Sequence, residues 1–395
     1  MKLMILTSRF PYPLEKGDKL RMYHLIKGIS RYHEVVLCAL TDQQVTGDHL
    51  EALKPFCKNI HVFPLRRADI ILNLIRSVFQ RQPFQTGYFF RKKIKKEINQ
   101  VFENESPDVV FCQLIRMYRY TEGWKIPMLL DYMDCFSIGM HRRADQSPPW
   151  FRPFFRWEAR RLARAEAIAA HMFSARTIIS EQDRLLLPKT AQADTDILPN
   201  GIDTGFFSRN YQETSADCEV VFVGNLGYFP NVAAARFLVQ KVMPQVWKQN
   251  PGARVLLAGA RPSGEVMALG SDPRVSVSGW VDDIRSAYIR GKVFAAPLFS
   301  GSGQQNKILE AMAMGLPCIT TPLVNNAIGA AQNTEILLAD TAEGFAAGIL
   351  KLIGDKQLHQ SVSENGVSFV RDRFSWETSV EKLDELLKQS CHAFI

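Results

Sequence analysis

The chain predicts an α/β protein of two doubly wound parallel-sheet domains facing a cleft, and three observations lead there. Short, almost wholly apolar runs recur along its length, the pattern of strands buried on both faces. They alternate with segments of helical periodicity, so the order βαβα runs through twice. The series also starts afresh near residue 205, after Pro199-Asn200-Gly201-Ile202 and Asp203-Thr204-Gly205, and 395 residues suffice for two domains of ordinary size.

In the first half, residues 1–7 predict a strand rather than a secretory signal, since one Lys and a short apolar stretch run straight into RFPYP. A loop leads into a helix over 19–30, with Gly17 and Asp18 as turn and N-cap. Strands follow at 34–40, 60–63, 108–112, 128–131, 177–180 and 195–198, and the Arg- and Ala-rich residues 151–170 fit one long helix. Residues 66–100 behave differently. Apolar Ile70, Ile71, Leu74 and Phe79 alternate with arginines, and Phe84, Tyr88, Phe89 and Phe90 precede RKKIKK. Such a segment either lies against an anionic membrane, at about 1 kcal/mol per nearby cation, or forms two amphipathic helices packed on the sheet.

In the second half, strands are expected at 219–223, 254–258, 275–278, 293–298, 318–320 and 335–338, with helices at 230–245 and 282–290. The stretch from 291 to 321 organises this half. A buried strand meets the small-residue loop Ser300-Gly301-Ser302-Gly303, then a helix over 304–314 stopped by Gly315 and Pro317. Strand, glycine loop and helix present bare amides and a positive dipole end, which suits a phosphate. Lys307 and Glu310 share a helix face with Gln304. A cation beside phosphate and a carboxylate beside a sugar diol would read a nucleoside diphosphate; the alternative is an ordinary βαβ unit with a surface ion pair.

Composition narrows the class. Hydrophobic content of 46% with 22% charge describes a globular protein, and no apolar run reaches the roughly 20 residues a membrane helix needs. Seven scattered cysteines without metal-ligand spacing predict reduced thiols and a cytoplasmic setting. A net charge of +8 favours anionic partners, but no zinc finger, RNP motif or basic zipper points to nucleic acid. No GxGxxG follows the first strand, so a dinucleotide dehydrogenase is disfavoured.

The segments PNGIDTGFF, VVFVGNLGYFPN, VSVSGWVDDI and GSGQQNKILEAMAMGLPCIT, in this order, resemble the nucleotide-sugar half of retaining GT-B glycosyltransferases of the family 4 type. TSRFPYPLEKGDKLRMYHLIKGIS is similar to that group's first strand, loop and helix. The nearest subgroup comprises the sugar transferases of exopolysaccharide and surface-glycan clusters. The resemblance implies two Rossmann-like domains: an acceptor-side domain over 1–205, a donor domain over 206–374, and a closing helix over 375–395 that returns to the first. It implies transfer from a nucleotide diphosphate sugar to a lipid-linked or glycan acceptor in bacterial surface polysaccharide assembly. Stereochemistry would be retained, without metal or cofactor, on the inner face of the cytoplasmic membrane.

Residue by residue, the resemblance assigns Glu310 to the ribose hydroxyls, and Gly303, Gln304, Gln305 and Asn306 to the diphosphate, although the three amides also suit helix capping. Ser302 stands where a second glutamate is usual. Asn225 follows Gly224 where an arginine is usual, and the usual lysine position falls near Pro230-Asn231. Lys307 is the candidate replacement cation; its other reading is a solvated surface charge. Trp280 and Val281 fall in the base-binding loop, where an indole either covers the base or packs in the core. Gly17 remains from the N-terminal glycine pair, or is a simple turn glycine. Asp134, after the strand at 128–131, orients sugar or acceptor, or caps its loop. With no Ser-His-Asp triad or metal cluster, front-face attack relies on positioning and charge stabilisation. Two other classes fit the same features: a GT-B-shaped epimerase or phosphorylase, and a non-catalytic nucleotide-sugar-binding partner of a glycan assembly complex.

Overall fold

The computed structural model describes the whole chain except Arg81, Gln146, residues 209–215, 301–302 and Ile395, and the side chain of Asp69. The chain divides into two compact units: Met1–Pro199 with Ser379–Ile395, and Asn200–Thr378. The sequence places this change near 205 and the return near 375.

In the first unit, β1 (Lys2–Thr7) is followed by α1 (Gly17–Ile29), β2 (Glu34–Thr41) and β3 (Asn59–Pro64). Three helices come next, α2 (Arg67–Phe79), α3 (Phe84–Phe89) and α4 (Lys92–Glu105), where two were expected. Then come β4 (Val109–Gln113), β5 (Met128–Asp131), α5 (Phe136–Asp145), α6 (Arg152–Met172), β6 (Ala175–Ile178) and β7 (Thr195–Ile197). All pairings are parallel, in the order β3-β2-β1-β4-β5-β6-β7. Winding therefore reverses between β1 and β4, whose side chains are buried almost throughout, as continuous apolar runs require. Asp18 does not cap α1 as expected. Lys16 holds the N-cap position, and Asp18 in the first turn turns to Arg9, 2.6 Å away.

A buried ion pair ties this unit together. The Arg21 guanidinium on α1 donates to both Asp131 oxygens, at 2.8 and 3.1 Å, at the end of β5. It also donates to the Leu198 and Pro199 carbonyls, and the Thr177 hydroxyl supplies Asp131 with a further bond at 3.0 Å. Two desolvated charges persist here because nearly every lone pair and N–H finds a partner.

The second unit carries β8 (Cys218–Val223), α7 (Phe229–Phe237), β9 (Val255–Ala258), β10 (Val275–Gly279), β11 (Gly291–Ala296), α8 (Asn306–Ala313), β12 (Cys318–Thr320) and β13 (Leu337–Leu338). The order is β10-β9-β8-β11-β12-β13, again parallel, with the reversal between β8 and β11. The helix expected over 230–245 is interrupted by a wide π-turn at Leu238–Val242 before Met243–Gln249. Pro244 has no N–H to continue an α-helical ladder, so the turn opens at that point. The last helix, α9 (Trp376–His392), carries the chain back into the first unit. All seven cysteines are free, and no described helix is long and apolar enough to cross a membrane.

Candidate functional site

Ligands of doubly wound sheets sit outside the carboxyl ends of the strands where winding reverses. In the second unit that crevice lies between the exits of β8 and β11. The turn after β8 is tight. Gly224 carries no Cβ because one would stand 2.9 Å from Asn231 Nδ2, and Gly259 (φ 138°) brings the turn after β9 so close that a Cβ would lie 1.8 Å from the Gly224 carbonyl oxygen. The freed space lets the Asn231 amide donate back to the Asn225 carbonyl at 2.9 Å.

From the other side of the crevice, α8 delivers Lys307. Its ammonium donates to Asn231 Oδ1 at 2.5 Å and stands 5.7 Å from the centre of the Phe222 ring. Burial beside the ring pushes the ammonium down to about 8, against the pull of Glu310. One turn on, Glu310 is half-buried, and burial raises its carboxyl despite Tyr288 and Lys307. The Tyr288 hydroxyl donates to Glu310 Oε2 at 2.7 Å and lies 3.2 Å from the Lys307 carbonyl oxygen. Oε1 has no hydrogen-bond partner among the described residues. The corner can thus offer one readily titrated cation, the amino end of a helix, and a carboxylate oriented from behind.

The remaining expected residues divide. Gly303 takes φ 82°, a left-handed turn into α8, while Ser302 lies outside the described residues. Gln304 precedes the helix instead of opening it; its amide accepts from the Asn200 N–H at 3.0 Å and donates to the Asn200 carbonyl at 2.8 Å. Gln305 is the N-cap but forms no side-chain cap bond, and Asn306 Oδ1 lies 3.3 Å from Gln304 Nε2. Asn225 accepts from Gly227 N–H at 3.1 Å, closing its own turn. Trp280 is 72% exposed, so core packing does not account for it; its indole N–H reaches Asp282 at 3.2 Å, and Val281 beside it is half-buried.

Gly17 and Asp134 belong to the first unit. Gly17 opens α1 with free space at its Cβ position. Asp134 follows β5 in a turn at Met133 (φ 60°), its N–H bonded to the Tyr132 carbonyl at 2.7 Å. Though the residue is exposed, the surrounding chain, Asp183 and Asp131 hold its carboxyl up at about 6.

Sequence reasoning missed two residues here. Asn231 stood only as the place of an absent lysine, and nothing near Tyr288 linked it to Glu310. Of the aromatic set of 84–90, Phe89 and Phe90 are buried and Phe84 and Tyr88 half-buried, and the Tyr120 hydroxyl donates to the Phe89 carbonyl at 2.7 Å.

Residues 217–355 match the family model described as glycosyl transferases group 1. An uncharacterized 44.6 kDa protein in the cps region of Klebsiella pneumoniae is 20% identical over 390 residues, covering 94% of this chain and 96% of that one. The capsular polysaccharide biosynthesis glycosyltransferase CapM of Staphylococcus aureus is 32% identical over 133 residues, 32% of this chain and 34% of that one. Among solved structures, Anabaena Alr3699/HepE in complex with UDP superposes with a TM-score of 0.69 at 17% identity, covering 98% of this chain and 100% of that one.

Proposed function

We propose that the chain is a glycosyltransferase of the GT-B fold, with a group 1 domain in its second unit, that moves a sugar from a nucleoside diphosphate donor to a lipid-linked or glycan acceptor in surface polysaccharide assembly. The observation that carries this reading is the Lys307–Asn231 contact. The usual lysine is missing from the segment around residue 231, yet an ammonium stands 2.5 Å from the side chain there, supplied from α8.

In this reading the amino end of α8 and Lys307 take the diphosphate, Glu310 Oε1 takes the ribose diol, and the exposed Trp280 indole covers the base. As the glycosidic bond breaks, negative charge collects on the leaving diphosphate, which Lys307 and the helix end stabilise without a divalent ion. Retention follows from attack on the face the diphosphate leaves, with its oxygen receiving the acceptor proton. Asp134 orients sugar or acceptor. UDP bound to HepE is the precedent for a nucleoside diphosphate on this fold.

Contact with an anionic membrane is part of the same proposal. The outer face of α2 leaves Ile71, Ile75 and Phe79 in water, Phe79 by 82%, beside a cationic pocket of about 780 Å³ that includes Arg66, Arg76, Lys92 and Lys93. A panel of nucleotide sugars tests the whole. The true donor raises the melting temperature, releases nucleoside diphosphate only with an acceptor lipid or glycan, and does so in EDTA. Free sugar without acceptor would indicate an epimerase, binding without turnover a non-catalytic partner, and no shift with any donor would overturn the reading.

A further inference from the structure

The first unit has its own winding reversal, between β1 and β4, and the segments leaving those strands each carry an arginine, Arg9 and Arg116. Both open on a pocket of about 530 Å³. Phe89 lies between them, its ring centre 5.9 Å from the Arg9 guanidinium and 5.0 Å from that of Arg116. Each cation keeps one nitrogen unpaired, although Arg116 Nε donates to Gln85 Oε1 at 3.1 Å. Asp18 is 2.6 Å from Arg9 but 4.0 Å from Arg116, and Arg116 Nη1 is buried with no hydrogen-bond partner, as is Arg9 Nε. Burial and the neighbouring Arg9 push the Arg116 guanidinium down to about 10. Two acids share the pocket wall, each hydrogen-bonded to neutral donors. Glu158 accepts from the N–H groups of Phe84 and Gln85, at 3.0 and 3.1 Å, and Asp42 accepts from the Tyr88 hydroxyl at 2.9 Å.

The same pocket also has apolar lining. Leu74, Met140, Phe84 and Phe154 line it, the last two with ring centres 5.5 Å apart. Arg143, exposed, stacks on Phe155 at the rim. Leu74 belongs to α2, the helix whose outward side chains Ile71 and Ile75 stand in water. A ligand that satisfies both the arginines and the apolar side chains has an anion at one end and a hydrocarbon chain at the other.

We propose that this pocket binds the phosphorylated head of an amphiphile, its phosphate oxygens on Arg116 and Arg9 and its chain along Phe84, Phe154 and Leu74 towards the outer face of α2, so that the acceptor is a lipid phosphate ester rather than a free glycan. This rests on the glycosyltransferase reading and selects between the two acceptor classes left open there.

Calorimetric titration of the full chain with dodecyl phosphate below its micelle concentration, with dodecanol, and with inorganic phosphate tests it. Dodecyl phosphate should bind at least tenfold more tightly than either of the others. Arg116→Gln should abolish the preference for phosphate over alcohol, and Arg143→Gln should weaken it. Phe154→Ser, a change at a side chain 47% exposed, should lower the affinity of both alkyl ligands together. Equal binding of dodecyl phosphate and dodecanol, tight binding of inorganic phosphate alone, or indifference to both Arg116→Gln and Phe154→Ser would overturn the proposal. The rise in melting temperature across the panel of nucleotide sugars is read in parallel on each variant. If it is missing from the wild type, the donor reading fails whatever dodecyl phosphate does; if it persists while dodecyl phosphate shows no preference, only the acceptor pocket fails.

Discussion

Replacing Lys307 by methionine keeps most of the buried stem over Phe222 and removes only the charge, which makes it the sharpest test of the donor corner. In the free protein burial lowers this ammonium from 10.5 to about 8. At pH 9 about nine in ten copies are neutral before donor arrives, and a bound diphosphate must restore the proton. Wild-type kcat/KM should therefore fall on an alkaline limb near pH 8, with proton uptake on donor binding above that pH. Loss of one positioned charge-stabilising donor costs roughly 2.7–4 kcal/mol, a factor of about 10² to 10³ in kcat. Lys307→Met should show this loss, a smaller loss of nucleoside affinity, and no limb near pH 8. The sign for stability is opposite: the unfolded chain holds the extra proton between pH 8 and 10.5, so this site favours the fold more as pH rises through that window. Steady-state release of nucleoside diphosphate across pH 6–10 measures the first effect. A kcat within threefold of wild type, or an unchanged limb, would refute the assignment.

Tyr288→Phe deletes the hydroxyl behind Glu310 Oε2, a charged hydrogen bond contributing roughly 1.5–3 kcal/mol, so donor KM should rise about tenfold or more with little change in kcat; equal KM in the two proteins would show that Glu310 needs no orienting partner. Arg21→Met strands a buried Asp131 and should cost about 3–5 kcal/mol in urea unfolding, much of it recovered on adding Asp131→Leu. A loss under about 1 kcal/mol would mean that Thr177 alone suffices for the carboxylate.

The strands were legible because each is a short apolar run buried on both sides, and periodicity reports burial directly. Helix ends were not, because local polar bonds compete with the ladder. The expected helix over 282–290 shrinks to Arg285–Tyr288, where the Asp283 carboxylate holds Arg285 at 2.6 Å and the Asp283 carbonyl accepts from Ser286. The helix expected from 304 begins at Asn306, since Gln304 turns back to Asn200. Lys307 and Glu310 could be chosen from their spacing on one helix face. Their partners could not: Asn231 is 76 residues from Lys307 and Tyr288 is 22 from Glu310, separations at which only the fold decides who meets.

From Ser379 onward the terminal helix belongs to the first unit. Asp384 meets His33 at 2.7 Å, Ser379 donates to the Pro199 carbonyl, and Val380 fills the space that Gly28 leaves. A fragment cut at residue 199 would therefore leave His33 without its acid and lay bare the apolar face that Val380 covers. Because Cys391 Sγ lies 3.7 Å from Met1 Sδ, a linker from the terminal helix to Met1, with new ends opened between Thr378 and Ser379, would yield a circular permutant whose first unit is one uninterrupted and separately expressible polypeptide.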